Sequence, residues 1–140
     1  GRFTFELAKL IRGKAIGVDP TQGFLDIAPR HPNVEYKLLN NGVIPVESDS
    51  ADFVWICLVL GGITDEERLN AFVKEVDRVL RSEGLVILVE NTTDTNNVAY
   101  WSFRSIDFYK LLFDFAEVEH LSDYYDLGER ISIFGGRKHV

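Results

Sequence analysis

The sequence predicts an α/β fold: a mostly parallel sheet with helices on both faces, completed by an antiparallel pair of C-terminal strands. Three observations carry this expectation. Helical and strand-like segments alternate along the chain. The stretches "DFVWICLVL" and "LVILVE" are unbroken apolar runs of the kind buried on both faces of a parallel sheet. Two late strand-like stretches, near 116 to 121 and 130 to 135, flank the polar segment "SDYYDLGE", which reads as a loop between antiparallel neighbours.

Taken in order, residues 2 to 12 read as a helix, because Phe3, Leu7, Leu10 and Ile11 share one face and Gly13 stands where a helix would stop. "KAIGVD" is a short apolar run ending in an acid and reads as a buried strand over 14 to 19. Pro20 and Thr21 suit a helix start; Phe24, Leu25 and Ala28 give it one face, and Pro29 ends it. "NVEYKLLN" alternates and is rich in strand formers, whereas "NNGVIPVESDS" has loop chemistry. A central strand is expected over 53 to 60. "ITDEERLNAFVKEVDRVLRSEG" is the clearest helix, with Thr64 and Glu67 as a capping box, an inward stripe of Leu69, Phe72, Val73, Val76, Val79 and Leu80, and Gly84 placed for a C-terminal cap. "LVILVE" is a second central strand. Residues 91 to 99 are polar and read as a loop, followed by a helix over 105 to 114 with Ile106, Tyr109, Leu112 and Phe113 facing in. No internal repeat or linker appears, so residues 1–140 are expected to form one domain.

The chain of 140 residues carries a formal charge of −7, so a phosphate backbone or an anionic membrane surface would be repelled overall. With no basic run either, neither nucleic acid nor membrane is an expected partner. The single cysteine, Cys57, cannot form an intramolecular disulfide, which fits a cytoplasmic location. No apolar stretch approaches the roughly 20 residues of a membrane span. The sequence contains no methionine, and Gly1 is therefore expected to be an internal point of a longer sequence or a processed end.

"GRFTFELAKLIRGKAIGVDPT", "SADFVWICLVLGGI" and "VDRVLRSEGLVILVE", in that order and at these spacings, resemble class I S-adenosylmethionine-dependent methyltransferases of the type 11-like small-molecule kind. The resemblance covers nearly the whole chain and is strongest from Asp52 to Glu90. It implies a Rossmann-like sheet and S-adenosylmethionine as cofactor. It also implies that Gly1 is the last glycine of a glycine-rich loop whose preceding strand and remaining residues are absent. That strand lies mid-sheet in the family, between the strands expected at 14 to 19 and 53 to 60, so two buried edges would be exposed. Residues upstream of Gly1, a re-paired sheet, or a strand borrowed through homo-oligomer formation or strand exchange would cover them.

The resemblance directs attention to the residues that follow each strand. Asp19, with Pro20 after it, stands where a carboxylate accepts both ribose hydroxyls of a nucleoside; its alternative is a helix N-cap. Asn40, Asn41 and Gly42 occupy the place where family members carry an adenine-contacting acid, and "NNG" is equally a plain turn. Cys57, Leu58, Val59 and Leu60 end the fourth strand of the family order and would line the cofactor, with core packing as the alternative. Gly61 and Gly62 replace larger polar residues and would widen the pocket. Tyr100, Trp101 and Phe103 follow the polar loop in the region that covers the substrate in similar enzymes; a lid helix burying them is the alternative. Glu90, at the cleft edge, is a candidate substrate-side base, against exposure or loop capping. No catalytic residue is otherwise identified. His31, His120 and His139 form no spaced ligand set, so no metal is expected.

These features lead to methyl transfer from S-adenosylmethionine to a small-molecule or glycan-like acceptor. A methyltransferase-like module that binds or assembles without catalysis is the alternative, and a nicotinamide-binding domain a third. In the first case positioning supplies most of the catalysis, because a sulfonium methyl is already electrophilic.

Overall fold

A computed structural model describes all 140 residues and divides them into two compact units, Gly1–Pro45 and Val46–Val140. The first unit runs helix, strand, helix, strand. Helix α1 (Arg2–Ile11) is followed by Arg12, whose left-handed backbone (φ 52°) ends the helix one residue before the expected Gly13. Strands β1 (Ala15–Asp19) and β2 (Val34–Leu38) pair in parallel, from Ala15 opposite Val34 to Asp19 opposite Leu38. The short helix α2 (Gln22–Asp26) connects them.

The apolar face expected on α1 is only partly used. Ala8 is buried, but Leu10 is 79% exposed and Ile11 48%. The sheet of this unit has just two strands, too narrow to cover the whole stripe of a helix. For the same reason Gly17 alone is buried in β1.

The second unit carries a four-stranded sheet in the order β3-β4-β6-β5, formed by β3 (Ala51–Cys57), β4 (Leu80–Asn91), β5 (Glu119–Asp126) and β6 (Glu129–Arg137). β3 and β4 are parallel, with Cys57 opposite Val89. β6 runs antiparallel to both β4 and β5, which matches the expected C-terminal pair. β3 pairs only with β4, and β1 only with β2. β1 and β3 are therefore edge strands, each of its own sheet. No helix is long and apolar enough to cross a membrane.

Helix α3 (Glu66–Val79) crosses from β3 to β4 and buries Leu69, Val73, Val76 and Val79. Its cap is Asp65 rather than Thr64: the Asp65 carboxylate accepts the Arg68 N–H at 2.8 Å, adding negative charge where the helix dipole favours it. Nor does Gly84 end this helix. Leu80 leaves it already extended and opens β4, Glu83 takes the left-handed turn (φ 62°), and Gly84 lies inside the strand, packed under Leu80. Helix α4 (Ile106–Leu112), capped by Ser105, contributes the fully buried Tyr109, followed by the fully buried Phe113. With Leu80, Val86, Leu88 and Phe134 these side chains form the core, each apolar one stabilising by about 1.5–3 kcal/mol. The segment "SDYYDLGE" is mostly strand: β5 continues to Asp126, and only Leu127 and Gly128, both with positive φ, make the turn.

The contrast between the units has a measurable consequence. Backbone amides of β1 and β2 should exchange with solvent deuterium well before those of Val86, Leu88 and Phe134. Equal protection across both sheets would contradict this description of the first unit.

Candidate functional site

In the first unit, parallel pairing brings two predicted groups to the same strand ends. Asp19 closes β1, and its backbone carbonyl accepts the Leu39 N–H at 2.9 Å, just before Asn40. One carboxylate oxygen of Asp19 accepts the Thr21 N–H at 2.8 Å, so the side chain does cap the turn through Pro20. Its second oxygen has no hydrogen-bond partner in the chain. Asn41 and Gly42 both have positive φ (53° and 73°), and the Val43 N–H returns to the Asn40 carbonyl at 3.1 Å. This is a two-residue turn in which glycine carries no steric cost. Gly1 sits at the head of α1 against Ala28 and Tyr36, and its carbonyl accepts from the Phe5 N–H.

In the second unit, β3 stops at Cys57, three residues earlier than expected. Leu58 turns into the left-handed region (φ 53°), Val59 follows, and Leu60–Gly62 form a single 3-10 turn. A side-branched residue at such an angle is strained, commonly by about 1–3 kcal/mol. The neighbouring strand supplies the restraint. Glu90, one residue before the end of β4, is fully buried and directs its carboxylate at three successive backbone donors: Val59 at 2.9 Å, Leu60 at 2.8 Å and Gly61 at 3.4 Å.

Arg104 holds the same turn from the other side. Its guanidinium donates to the Leu60 carbonyl at 2.8 Å and to the Ile63 carbonyl at 2.9 Å, while the Ser102 N–H donates to the Gly61 carbonyl at 2.8 Å. Burial pushes the Glu90 carboxyl up to about 7, against the three N–H donors and the charge of Arg104, which favour ionisation. Beneath them the Tyr109 hydroxyl is pushed up, first by burial and then by the Glu90 charge. Arg104 pulls it the other way without reaching it in an ordinary hydrogen bond, and the hydroxyl has no partner.

Several expectations change here. Glu90 does not stand at a cleft edge; its oxygens are committed to the backbone, so it is not placed to take a proton from a substrate. Gly61 leaves no widened pocket, because the Trp101 indole lies directly on it and any side chain there would overlap the ring. Of the aromatic residues, Tyr100 is 79% exposed while Trp101 and Phe103 are half-buried. Sequence reasoning missed Arg104 and assigned Tyr109 only to the core. The available signal was Glu90 itself: an acid closing an apolar strand needs donors, and Arg104 is the cation of the aromatic stretch that follows. Beside the end of β4 a cleft of about 350 Å3 is lined by Thr92, Thr93, Phe103, Arg104, Ser105 and Arg130, among others.

Residues 1–88 match the family model described as "Methyltransferase domain". The chain belongs to that family. It is 31% identical over 127 residues to the demethylmenaquinone methyltransferase of Lactobacillus johnsonii, covering 84% of this chain and 50% of that protein. It is 30% identical over 77 residues to the ubiquinone/menaquinone biosynthesis C-methyltransferase UbiE of Campylobacter jejuni, covering 54% of this chain and 32% of that protein. The chain thus spans between about a third and a half of the length of these relatives. Among solved structures it resembles the YcgJ protein of Bacillus subtilis, with a TM-score of 0.76 at 14% identity over 91% of this chain and 83% of that one. A SAM-dependent methyltransferase of Methanosarcina mazei gives a TM-score of 0.76 at 16% identity over 97% and 86%. At such identities the likeness establishes the fold: a Rossmann-like α/β methyltransferase architecture.

The contact between Gly61 and Trp101 is open to a double-mutant cycle. Gly61→Ala should lower the unfolding free energy by about 1–3 kcal/mol through overpacking, and the loss should shrink markedly in a Trp101→Ala background. Equal losses in the two backgrounds would show that the indole does not rest on Gly61.

Proposed function

We propose that this chain is an S-adenosylmethionine-dependent methyltransferase domain acting on a small-molecule acceptor of glycan-like polarity. The family match runs from residue 1 to 88, through the boundary between the two compact units, which supports treating residues 1–140 as one such domain. The carrying observation is Asp19: a carboxylate at the C-terminal end of a parallel strand, one oxygen fixed by Thr21 and the other without a partner, beside the Asn40–Val43 turn. Ligands of open α/β sheets bind at such strand ends.

In this reading the Asp19 carboxylate accepts ribose hydroxyls, with Pro20 fixing the chain that follows. The exposed amides of Asn40 and Asn41 address the base edge, and Gly42 keeps the turn low. Gly1 leaves the head of α1 without a side chain. Within the second unit taken by itself, Cys57 and Leu58 offer backbone and apolar contact to a ligand at the end of β3. The cofactor, when bound, supplies an electrophilic methyl group on a sulfonium. What the chain must add is an acceptor held in line and water kept out. In this reading Tyr100 and the outer part of Trp101 give apolar contact to an acceptor, and the cleft lined by Thr93, Thr95, Ser105 and Arg130 gives it a polar wall. Glu90 enters through the turn it holds rather than by touching the acceptor.

Calorimetric titration with S-adenosylhomocysteine tests the cofactor reading. Asp19→Ala should weaken binding by at least about tenfold, the scale of one lost charge-assisted hydrogen bond, with little change in thermal stability because Asp19 is partly exposed. Undiminished affinity in that variant would remove the role given to Asp19.

A further inference from the structure

The geometry points to Glu90 and Arg104 as positioning residues for the transfer reaction, acting together to hold the Leu58–Ile63 turn at the end of β3 in its strained form. This rests on the methyltransferase reading above and adds to it a pair of residues that touch neither cofactor nor acceptor.

Four observations converge on the turn. Leu58 is a non-glycine residue in the left-handed region. The three N–H groups that follow it, from Val59 to Gly61, all converge on the one carboxylate of Glu90. The carbonyls of Leu60, Gly61 and Ile63 are taken by Arg104, Ser102 and Arg104 in turn. Finally, the side chains of Leu58 and Val59 are each 42% exposed although apolar, so the restrained backbone presents them outward at the strand end.

Core packing alone does not call for this arrangement. A buried carboxylate is a costly way to fill a core position, and Arg104 offsets it only through its field, since it makes no ion pair with Glu90. Its hydrogen bonds go entirely to the backbone of one turn. Strain and a buried charge concentrated together at the end of a parallel strand mark a site where shape is kept at the expense of stability. The charged and titratable groups facing Glu90 are Arg104, from the segment before α4, and Tyr109, from α4 itself.

The two roles a buried glutamate could have respond to pH in opposite directions. Its carboxyl is raised from 4.5 to about 7 in the folded chain. A raised acid contributes stability that is fully present below its unfolded pKa and lost as pH rises through its folded one, so this group makes the fold more stable as pH falls from 7 toward 4.5. Protonation, however, removes the charge from the acceptor of three N–H bonds and weakens the hold on the turn. A positioning role therefore predicts ligand affinity falling while stability rises over the same interval.

The experiment uses the whole chain, with S-adenosylhomocysteine as probe, at pH 5.5 and pH 8, in wild type, Glu90→Gln, Arg104→Ala and Arg104→Lys. Wild-type affinity should fall severalfold from pH 8 to 5.5 while thermal stability holds or rises. Glu90→Gln should bind about tenfold more weakly at pH 8 and lose that part of the pH dependence without losing stability. Arg104→Ala should also weaken binding, with partial recovery in Arg104→Lys. Hydrogen exchange at Val59, Leu60 and Gly61 should quicken in Glu90→Gln and Arg104→Ala, while Val86 and Leu88 stay protected. Affinity that tracks stability, or turn amides that exchange as in wild type, overturns the proposal. If the wild type binds no S-adenosylhomocysteine, the cofactor reading fails separately. The clamp is then judged by exchange alone: quickening confined to the turn supports it, and unchanged rates overturn it.

Discussion

The second unit is organised around one costly interaction: the carboxylate of Glu90, withdrawn from water and spent on three backbone N–H groups of a neighbouring strand's exit. Burying that charge opposes folding, and the surrounding core must offset it. Val86, Leu88, Tyr109, Phe113 and Phe134, each almost or entirely excluded from solvent, supply that core. The shape of the turn and the placement of Trp101, Ser102 and Arg104 all depend on it. Without an acceptor at that point, three N–H groups would lie orphaned where β3 ends, and Leu58 would have little reason to stay left-handed.

The same logic explains why the segment after β4 is orderly despite its polar composition. Asn91, Thr92 and Thr93 are tied to the start of β6: Asn91 to Glu129 at 2.6 Å, the Thr92 N–H to the Arg130 carbonyl at 2.9 Å, and Thr93 to the Arg130 N–H at 2.8 Å. Farther on, Asn97 accepts the Phe103 N–H at 2.8 Å. A loop whose ends are fixed this way can carry Arg104 back to a turn more than forty residues earlier in the chain. The wall of the cleft beside β4 is thus held largely by hydrogen bonds.

What could be read from the sequence was what local chemistry writes down. The alternation of strand and helix, the apolar runs of β3 and β4, the inward stripe of α3 and the Asn41-Gly42 turn all follow from period and turn residues. The family resemblance added the order of the strands and the residues to inspect at their ends; β1 pairs only with β2, and β3 only with β4. Other features depend on partners distant in sequence. Leu58 looks like one more apolar residue of a strand, yet the strand ends before it because Glu90 captures the following donors. Gly61 reads as a gap until Trp101, forty positions later, is seen to fill it. The stripe on α1 was legible, but its exposure was not, since that depends on how many strands lie beneath it. Arg104 was missed because no spacing rule links a guanidinium to the carbonyls of a remote turn.

The central claim is that the Glu90 carboxylate is buried, ionisable near neutral pH and committed to the Val59–Gly61 turn. Its most direct test is a pH titration of the Glu90 side-chain carboxyl carbon followed by carbon NMR in the intact chain. A midpoint near 7 is the predicted result. A midpoint in the ordinary range of exposed glutamates, near 4.3, would contradict the claim that burial outweighs the turn's donors at this carboxyl.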